Sequence, residues 1–137
     1  MSLGRVLVVD DQEDIREMAR IILAGAGYDV DLARDGDEAL SLVVDGDYDL
    51  VLLDINMPGL DGWATLRLLR ADEALASTRV AMFSIKGEVR DKVASLQEGA
   101  IDFITKPFGV DELVRRVGRI LHPDGARGPA VPTASPR

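Results

Sequence analysis

The stretch Val6-Leu7-Val8-Val9-Asp10-Asp11 carries the first decision about this chain. Four apolar residues in a row, with no polar residue alternating among them, describe a strand covered on both faces, as in a parallel sheet sandwiched between helices. The two aspartates end the run abruptly. Working outward, comparable short runs recur at residues 28–32, 49–53, 79–83 and 102–105, each bounded by polar residues or glycine. The segments between them have helical period. Ile15, Met18, Ala19, Ile22 and Leu23 share one face of a helix that stops at Gly25-Ala26-Gly27, and Ala39, Leu40 and Val43 line a second, closed by Asp45-Gly46. Leu66, Leu69 and Arg70 belong to a third. A fourth spans about residues 88–98 before Gly99, and a fifth starts at Asp111-Glu112 and turns Leu113, Val117, Ile120 and Leu121 to the core. Strand and helix alternate five times, which is the pattern of an α/β domain built on a parallel sheet.

Composition agrees with one such domain. The 137 residues hold 24 acids against 16 bases, a formal charge of −8, and 47% are hydrophobic. That hydrophobic content excludes a disordered polyanion, and the surplus of acid argues against direct nucleic-acid binding by the field of the domain. No apolar run approaches the ~20 residues of a membrane span, and Met1-Ser2-Leu3-Gly4-Arg5 lacks the core of a signal peptide, so a cytoplasmic protein with no membrane partner is expected. With no cysteine and a single histidine, His122, disulfides, thiolate sites and zinc clusters drop out. A serine-histidine triad is disfavoured. The chemistry is left to oxygen ligands and lysine.

Residues 1–121 account for the domain. From His122 to Arg137 the chain turns rich in Pro, Gly and Ala and loses its apolar period, a composition shared by a disordered tail and by the start of a linker to a further domain. His122 itself is expected to be solvated, and Met18 and Met82 to be core.

The polar residues that matter fall at the ends of the strand runs. In doubly wound sheets ligands bind beyond the carboxyl ends of the strands, and for the order 2-1-3-4-5 the switch point lies between strands one and three. Asp10 and Asp11 follow the first run and Asp54 the third, so three carboxylates converge on one cleft. Clustered anions repel and are costly to bury, so either one is protonated or a hard cation sits among them. Magnesium is the natural candidate for an oxygen-only donor set. Ser84 ends the fourth run and Lys106 the fifth, adding a hydroxyl and an ammonium. That set suits a phosphoryl group: a carboxylate such as Asp54 attacks phosphorus, cations offset charge on the phosphoryl oxygens, and the hydroxyl supplies one hydrogen bond.

At this point the chain resembles the receiver domain of two-component response regulators. The resemblance spans about residues 5–121 and rests on four segments in this order and spacing. They are Val6-Leu7-Val8-Val9-Asp10-Asp11, Leu53-Asp54-Ile55-Asn56-Met57-Pro58-Gly59-Leu60-Asp61-Gly62, Phe83-Ser84, and Gly99-Ala100-Ile101-Asp102-Phe103-Ile104-Thr105-Lys106-Pro107-Phe108. The resemblance implies a doubly wound, flavodoxin-like (βα)5 fold of strand order 2-1-3-4-5. It implies that Asp54 is the phosphoacceptor, loaded from a histidine kinase or phosphotransfer protein, and that the domain catalyses only its own phosphorylation and dephosphorylation. Asp11, Asp54 and the backbone carbonyl of Asn56 would bind Mg2+, with Asp10 acting through water. Ser84 and Lys106 would hold the phosphoryl oxygens, and Lys106-Pro107 would be a cis peptide, which only an X-Pro bond makes inexpensive. Ser84 and Phe103 would form the switch, the ring moving into space that the serine vacates. The face made by the fourth helix, fifth strand and fifth helix would be the output surface toward a downstream protein or an attached effector domain, and a homodimer through that face is one expected assembly.

One departure from the family stands out. After the hydroxyl residue the family usually places a small side chain, whereas here the order is Ser84-Ile85-Lys86. A β-branched Ile85 is expected to crowd the cleft mouth, and Ile85, Lys86 and Asn56 are the positions expected to tune the phosphoryl lifetime. Among rivals, an interaction module working without phosphorylation would have lost Asp54 or Lys106, and neither is lost. An Asp-nucleophile phosphatase would carry its nucleophile after the first strand and a second Asp two residues on, where position 56 is Asn. No Gly-rich loop ending in Lys-Ser/Thr supports nucleotide binding. The acidity is polarised: residues 29–49 set eight acids against Arg34, while residues 86–121 hold seven bases and six acids.

Overall fold

A computed structural model describes residues 2–84 and 89–123. The elements are β1 (Arg5–Val9), α1 (Glu13–Gly25), β2 (Asp29–Ala33), α2 (Gly36–Asp45), β3 (Leu50–Asp54), α3 (Gly62–Ala71), β4 (Val80–Ser84), α4 (Val89–Gln97), β5 (Asp102–Thr105) and α5 (Val110–Leu121). All four strand pairings are parallel and the sheet order is β2-β1-β3-β4-β5, the flavodoxin-like arrangement. Among the described residues no helix is long and apolar enough to cross a membrane.

Successive side chains on a strand point to opposite faces, so each buried strand feeds two cores. Val6, Val8, Leu50, Leu52, Ala81, Phe83 and Ile104 pack under α1 and α5 with Ala19, Leu23, Leu113 and Val117. Leu7, Val9, Val51, Leu53, Val80, Met82 and Phe103 pack with Ala39, Val43, Leu66 and Leu69 of α2 and α3. Every residue of β3 and of β4 is buried, which is why their sequence runs apolar without alternation.

β2, β3 and β4 end one residue later than their apolar runs indicate, while β1 and β5 end where expected. Asp54 pairs with Phe83, Ser84 with Thr105 and Val9 with Ala33, so polar or small residues that look like terminators are still in the ladder. Tyr28 is not in β2, because its N–H closes α1 by donating to the Leu23 carbonyl. Two further expectations fail. Met18 is 48% exposed: Ala19 and Leu23 are the buried residues of α1, and Met18 lies off that line. His122 is not solvated as a tail residue would be. Its N–H donates to the Gly118 carbonyl to close α5, and its Nε2 is buried against the domain, the ring 6.3 Å from that of Tyr28.

The helix starts are set locally. Asp35 accepts from the Glu38 N–H at 2.8 Å to cap α2, and Asp61 accepts from the Ala64 N–H at 2.9 Å to cap α3. Each such cap is worth about 1 kcal/mol. Gly27 takes φ +108°, the left-handed region where a side chain is strained, as the chain leaves α1 for β2.

Candidate functional site

Pleat parity selects what meets at the carboxyl end of the sheet. Asp10 continues the Val6–Val8 face of β1, Asp54 the Leu50–Leu52 face of β3, and Lys106 the Ile104 face beyond β5, so all three project toward the α1 side. Asp10, Asp54 and Lys106 are buried while Asp11 is exposed. One carboxylate oxygen from each of Asp10, Asp11 and Asp54 lies within 4.8 Å of the others. The Lys106 ammonium donates to Asp10 Oδ2 at 2.5 Å and pairs with Asp54 Oδ1 at 3.3 Å.

The position of Asp54 depends on a close approach. A Cβ on Gly62, the first residue of α3, would sit 2.3 Å from the Asp54 carbonyl oxygen and 2.7 Å from Ile55 Cα. Only glycine lets α3 start so near the end of β3, and the Gly62 N–H donates to the Ile55 carbonyl at 2.9 Å. Asp10 is held at several points. Its Oδ1 accepts from the Gln12 N–H at 2.9 Å, and its backbone carbonyl accepts from Arg16 of α1 at 2.8 Å.

Among the described residues charge is not balanced here. Three carboxylates face the Lys106 ammonium, which leaves two formal negative charges within that set. Burial pushes the Asp54 carboxyl up to about 6, the Asp10 anion adds to the rise, and the Lys106 ammonium opposes it. A hard divalent cation fits this set on three counts: the donors are all oxygen, they converge, and the uncompensated charge is two. The cluster could therefore hold a metal ion.

The remaining sequence-derived positions are distributed differently. Ser84 is 4% exposed at the end of β4, and its carbonyl accepts from the Lys106 N–H at 2.6 Å, which ties the ends of β4 and β5 together. The Lys106–Pro107 peptide is cis. Asn56 is exposed in the loop after β3. Phe103 is 3% exposed on the opposite face from Lys106, in one cluster with Met82 and Ala100. Ile85 and Lys86 lie outside the described residues, as does the tail from residue 124.

Sequence reasoning did not assign roles to Phe83, Phe108, Gly62, Gln12 or Arg16. Phe83 and Gly62 sit beside assigned residues, one before Ser84 and one after the cap Asp61, and strand parity with helix placement would have drawn them in. Gln12 contributes only its backbone, which no side-chain reading can find.

Comparison with known proteins gives a consistent picture. A family model described as response regulator receiver domain matches residues 6–118. The transcriptional regulatory protein DltR of Streptococcus agalactiae is 46% identical over 113 residues, 82% of this chain and 50% of that protein. The phosphate regulon transcriptional regulatory protein PhoB of Pseudomonas aeruginosa is 40% identical over 120 residues, covering 88% and 52%. The chain thus spans about half the length of the curated relatives it matches. Among solved structures, the chemotaxis response regulator CheY4 of Vibrio cholerae superposes with a TM-score of 0.80 at 31% identity, covering 85% of this chain and 98% of that one. NtrX of Brucella abortus gives a TM-score of 0.81 at 37% identity, covering 90% and 28%.

Proposed function

The chain belongs to the receiver-domain family of two-component response regulators, and from that premise we propose that Asp54 accepts a phosphoryl group from a phosphohistidine of a histidine kinase or phosphotransfer protein. The observation that carries this reading is the convergence of Asp10, Asp11 and Asp54 with the ammonium of Lys106. An Asp54 carboxylate oxygen forms the new P–O bond, the P–N bond of the donor breaks, and the imidazole leaves as the neutral ring once it is protonated. Attack of water on that phosphorus then breaks the bond to the Asp54 oxygen and returns inorganic phosphate and the carboxylate. The domain catalyses only these two steps on itself, so its output is a conformation.

Asp11, Asp54 and the Asn56 carbonyl would hold Mg2+, which when bound neutralises the cleft and draws charge from the phosphoryl oxygens. Asp10 has both carboxylate oxygens engaged, by Gln12 and Lys106, which supports contact through water instead of direct ligation. Lys106 and Ser84 would take phosphoryl oxygens. The side chain of Lys106 already spans the cleft, so its ammonium turns from Asp10 toward the new anion without leaving the site.

Phosphorylation adds about −1.5 to −2 charge at Asp54. Drawing Ser84 toward it couples the site to β4, and the ring of Phe103, which has no hydroxyl, is scored by packing alone. Its inward seat beside Met82 makes outward rotation the direction that costs burial. The surface of α4, β5 and α5 would carry the signal to a downstream protein, to an attached effector domain or to a second copy. Ile85, Lys86 and Asn56 would set how long the phosphoryl group lasts. DltR and PhoB are transcriptional regulatory proteins about twice the length of this chain, which supports an attached effector in the parent protein.

The test is incubation with acetyl phosphate and magnesium, followed by intact mass. The native protein should gain one phosphoryl group and Asp54→Ala none. A native protein that stays unmodified would remove the proposal.

A further inference from the structure

The geometry points to Phe83 as a positioning residue for Lys106: its ring face forms the third wall around the ammonium and holds it at the carboxylates while it turns between partners. This rests on the reading of Lys106 as a ligand for the phosphoryl group.

Parity explains why the ring is there. Lys106 leaves β5 on the Ile104 face and must cross β4 to reach Asp54 on β3 and Asp10 on β1. On that face β4 presents Phe83, which pairs with Asp54 on one side and Ile104 on the other. The lysine side chain therefore has to lie over Phe83. Its Nζ is 5.2 Å from the ring centroid, inside the ~6 Å range in which a ring face attracts a cation. The ring is 0% exposed and Lys106 is 6% exposed, so water screens little of this attraction.

Phe83 is itself propped. Phe108, two residues past Lys106, folds back so that its ring stacks on Phe83 with centroids 5.2 Å apart and planes 20° from parallel. The chain thus brackets its lysine with two aromatic residues, one before Ser84 and one after Pro107. Any bulky apolar residue could fill the space. Only a π face attracts the charge, and it does so without selecting a particular N–H.

That difference gives the ring its role. An ammonium has three donors; here two face Asp10 and Asp54. A hydrogen-bond acceptor as the third neighbour would lock the orientation. A ring face holds the nitrogen near one position yet leaves it to rotate, so Lys106 passes from Asp10 to a phosphoryl oxygen without being released to solvent.

The experiment replaces Phe83 with phenylalanines carrying one, two and three ring fluorines, which weaken the face in steps at nearly constant shape, alongside Phe83→Leu and Phe108→Leu. The first readout is the proton–nitrogen NMR signal of the Lys106 ammonium, without magnesium or phosphodonor and assigned by its absence in Lys106→Met. The second is the rate of acetyl phosphate incorporation. The ammonium protons should be shielded relative to other lysines and lose that shielding in Phe83→Leu. Incorporation should fall stepwise with fluorination, to about three- to tenfold below native, with Phe108→Leu intermediate. An unshielded ammonium, or a rate indifferent to fluorination, would overturn the assignment. A shielded ammonium in a protein that never takes up phosphoryl would instead place the ring correctly and sink the phosphoacceptor reading, so the two failures are distinct.

Discussion

Two acidic regions of this molecule are built from the same residue types and behave in opposite ways. On the flank formed by residues 29–49, eight acids face one base in the sequence, yet those seen in contacts have structural partners. Asp35 caps α2 and Glu38 accepts from the Arg34 N–H. Asp31 accepts from Arg5 at 2.9 Å and from the Tyr48 hydroxyl at 2.6 Å, and Asp49 accepts from the Arg5 N–H. These groups are half exposed, so water and backbone donors satisfy them. At the carboxyl end of the sheet three acids converge among the described residues, two of them buried, and the Lys106 ammonium answers them. The lesson is that burial and convergence mark a site for chemistry, while the count of charges does not.

The contrast breaks most visibly at its cations. Lys106→Met leaves Asp10 and Asp54 buried without a counter-charge and should cost about 3–5 kcal/mol in urea unfolding with magnesium chelated. A loss as small as that of an exposed pair would mean that the pole is as solvated as the flank.

Removing one of the anions should act the other way. The Asp54 carboxyl is raised from 3.8 to about 6 in the folded protein, so the folded state holds that proton more tightly than the unfolded chain. The contribution favours folding below pH ~4 and is lost as pH rises through about 6. Asp54→Asn should therefore stabilise the metal-free protein by roughly 2–3 kcal/mol at pH 8 and by little at pH 4. Urea midpoints at the two pH values check this, and a pH-independent difference contradicts it.

On the flank, Asp35→Ala should cost about 1 kcal/mol through the lost cap of α2 alone, with phosphoryl uptake unchanged. Smaller still is Arg5→Met. Its pair with Asp31 has side chains 42% and 47% exposed, and after allowance for screening it should change stability by less than ~1 kcal/mol. Tyr48 sharpens the point without a stability change. Partial burial first, and the hydrogen bond to Asp31 second, push its hydroxyl up to about 12. In Asp31→Asn the ultraviolet titration of Tyr48 should move part of the way down, burial still holding it above 10, while that of Tyr28, raised by burial, stays.

Much of this was legible in the sequence because the strand runs and the polar residues ending them belong to one signal. Val6–Val9 reads as buried on both faces, and it is; the same run aims Asp10. What the sequence did not carry are facts of neighbourhood. The period of α1 does not say which of its apolar residues the rest of the domain covers, and Met18 is left half exposed beside buried Ala19. His122 looked like the first residue of a polar tail, yet it closes α5 and packs near Tyr28. In the sequence Phe83 is only the last residue of the fourth run, beside Ser84, and the crossing of Lys106 over β4 is what gives its ring a charged neighbour.

The most direct measurement of the central claim is reductive trapping. Protein incubated with acetyl phosphate is treated with borohydride, which reduces an acyl phosphate to an alcohol and so converts a phosphorylated aspartate to homoserine. Peptide mass mapping then locates the product. The account predicts homoserine at position 54 alone, formed with magnesium and absent when the metal is chelated. Homoserine at position 10 or 11, or none at all in the presence of magnesium, would contradict it.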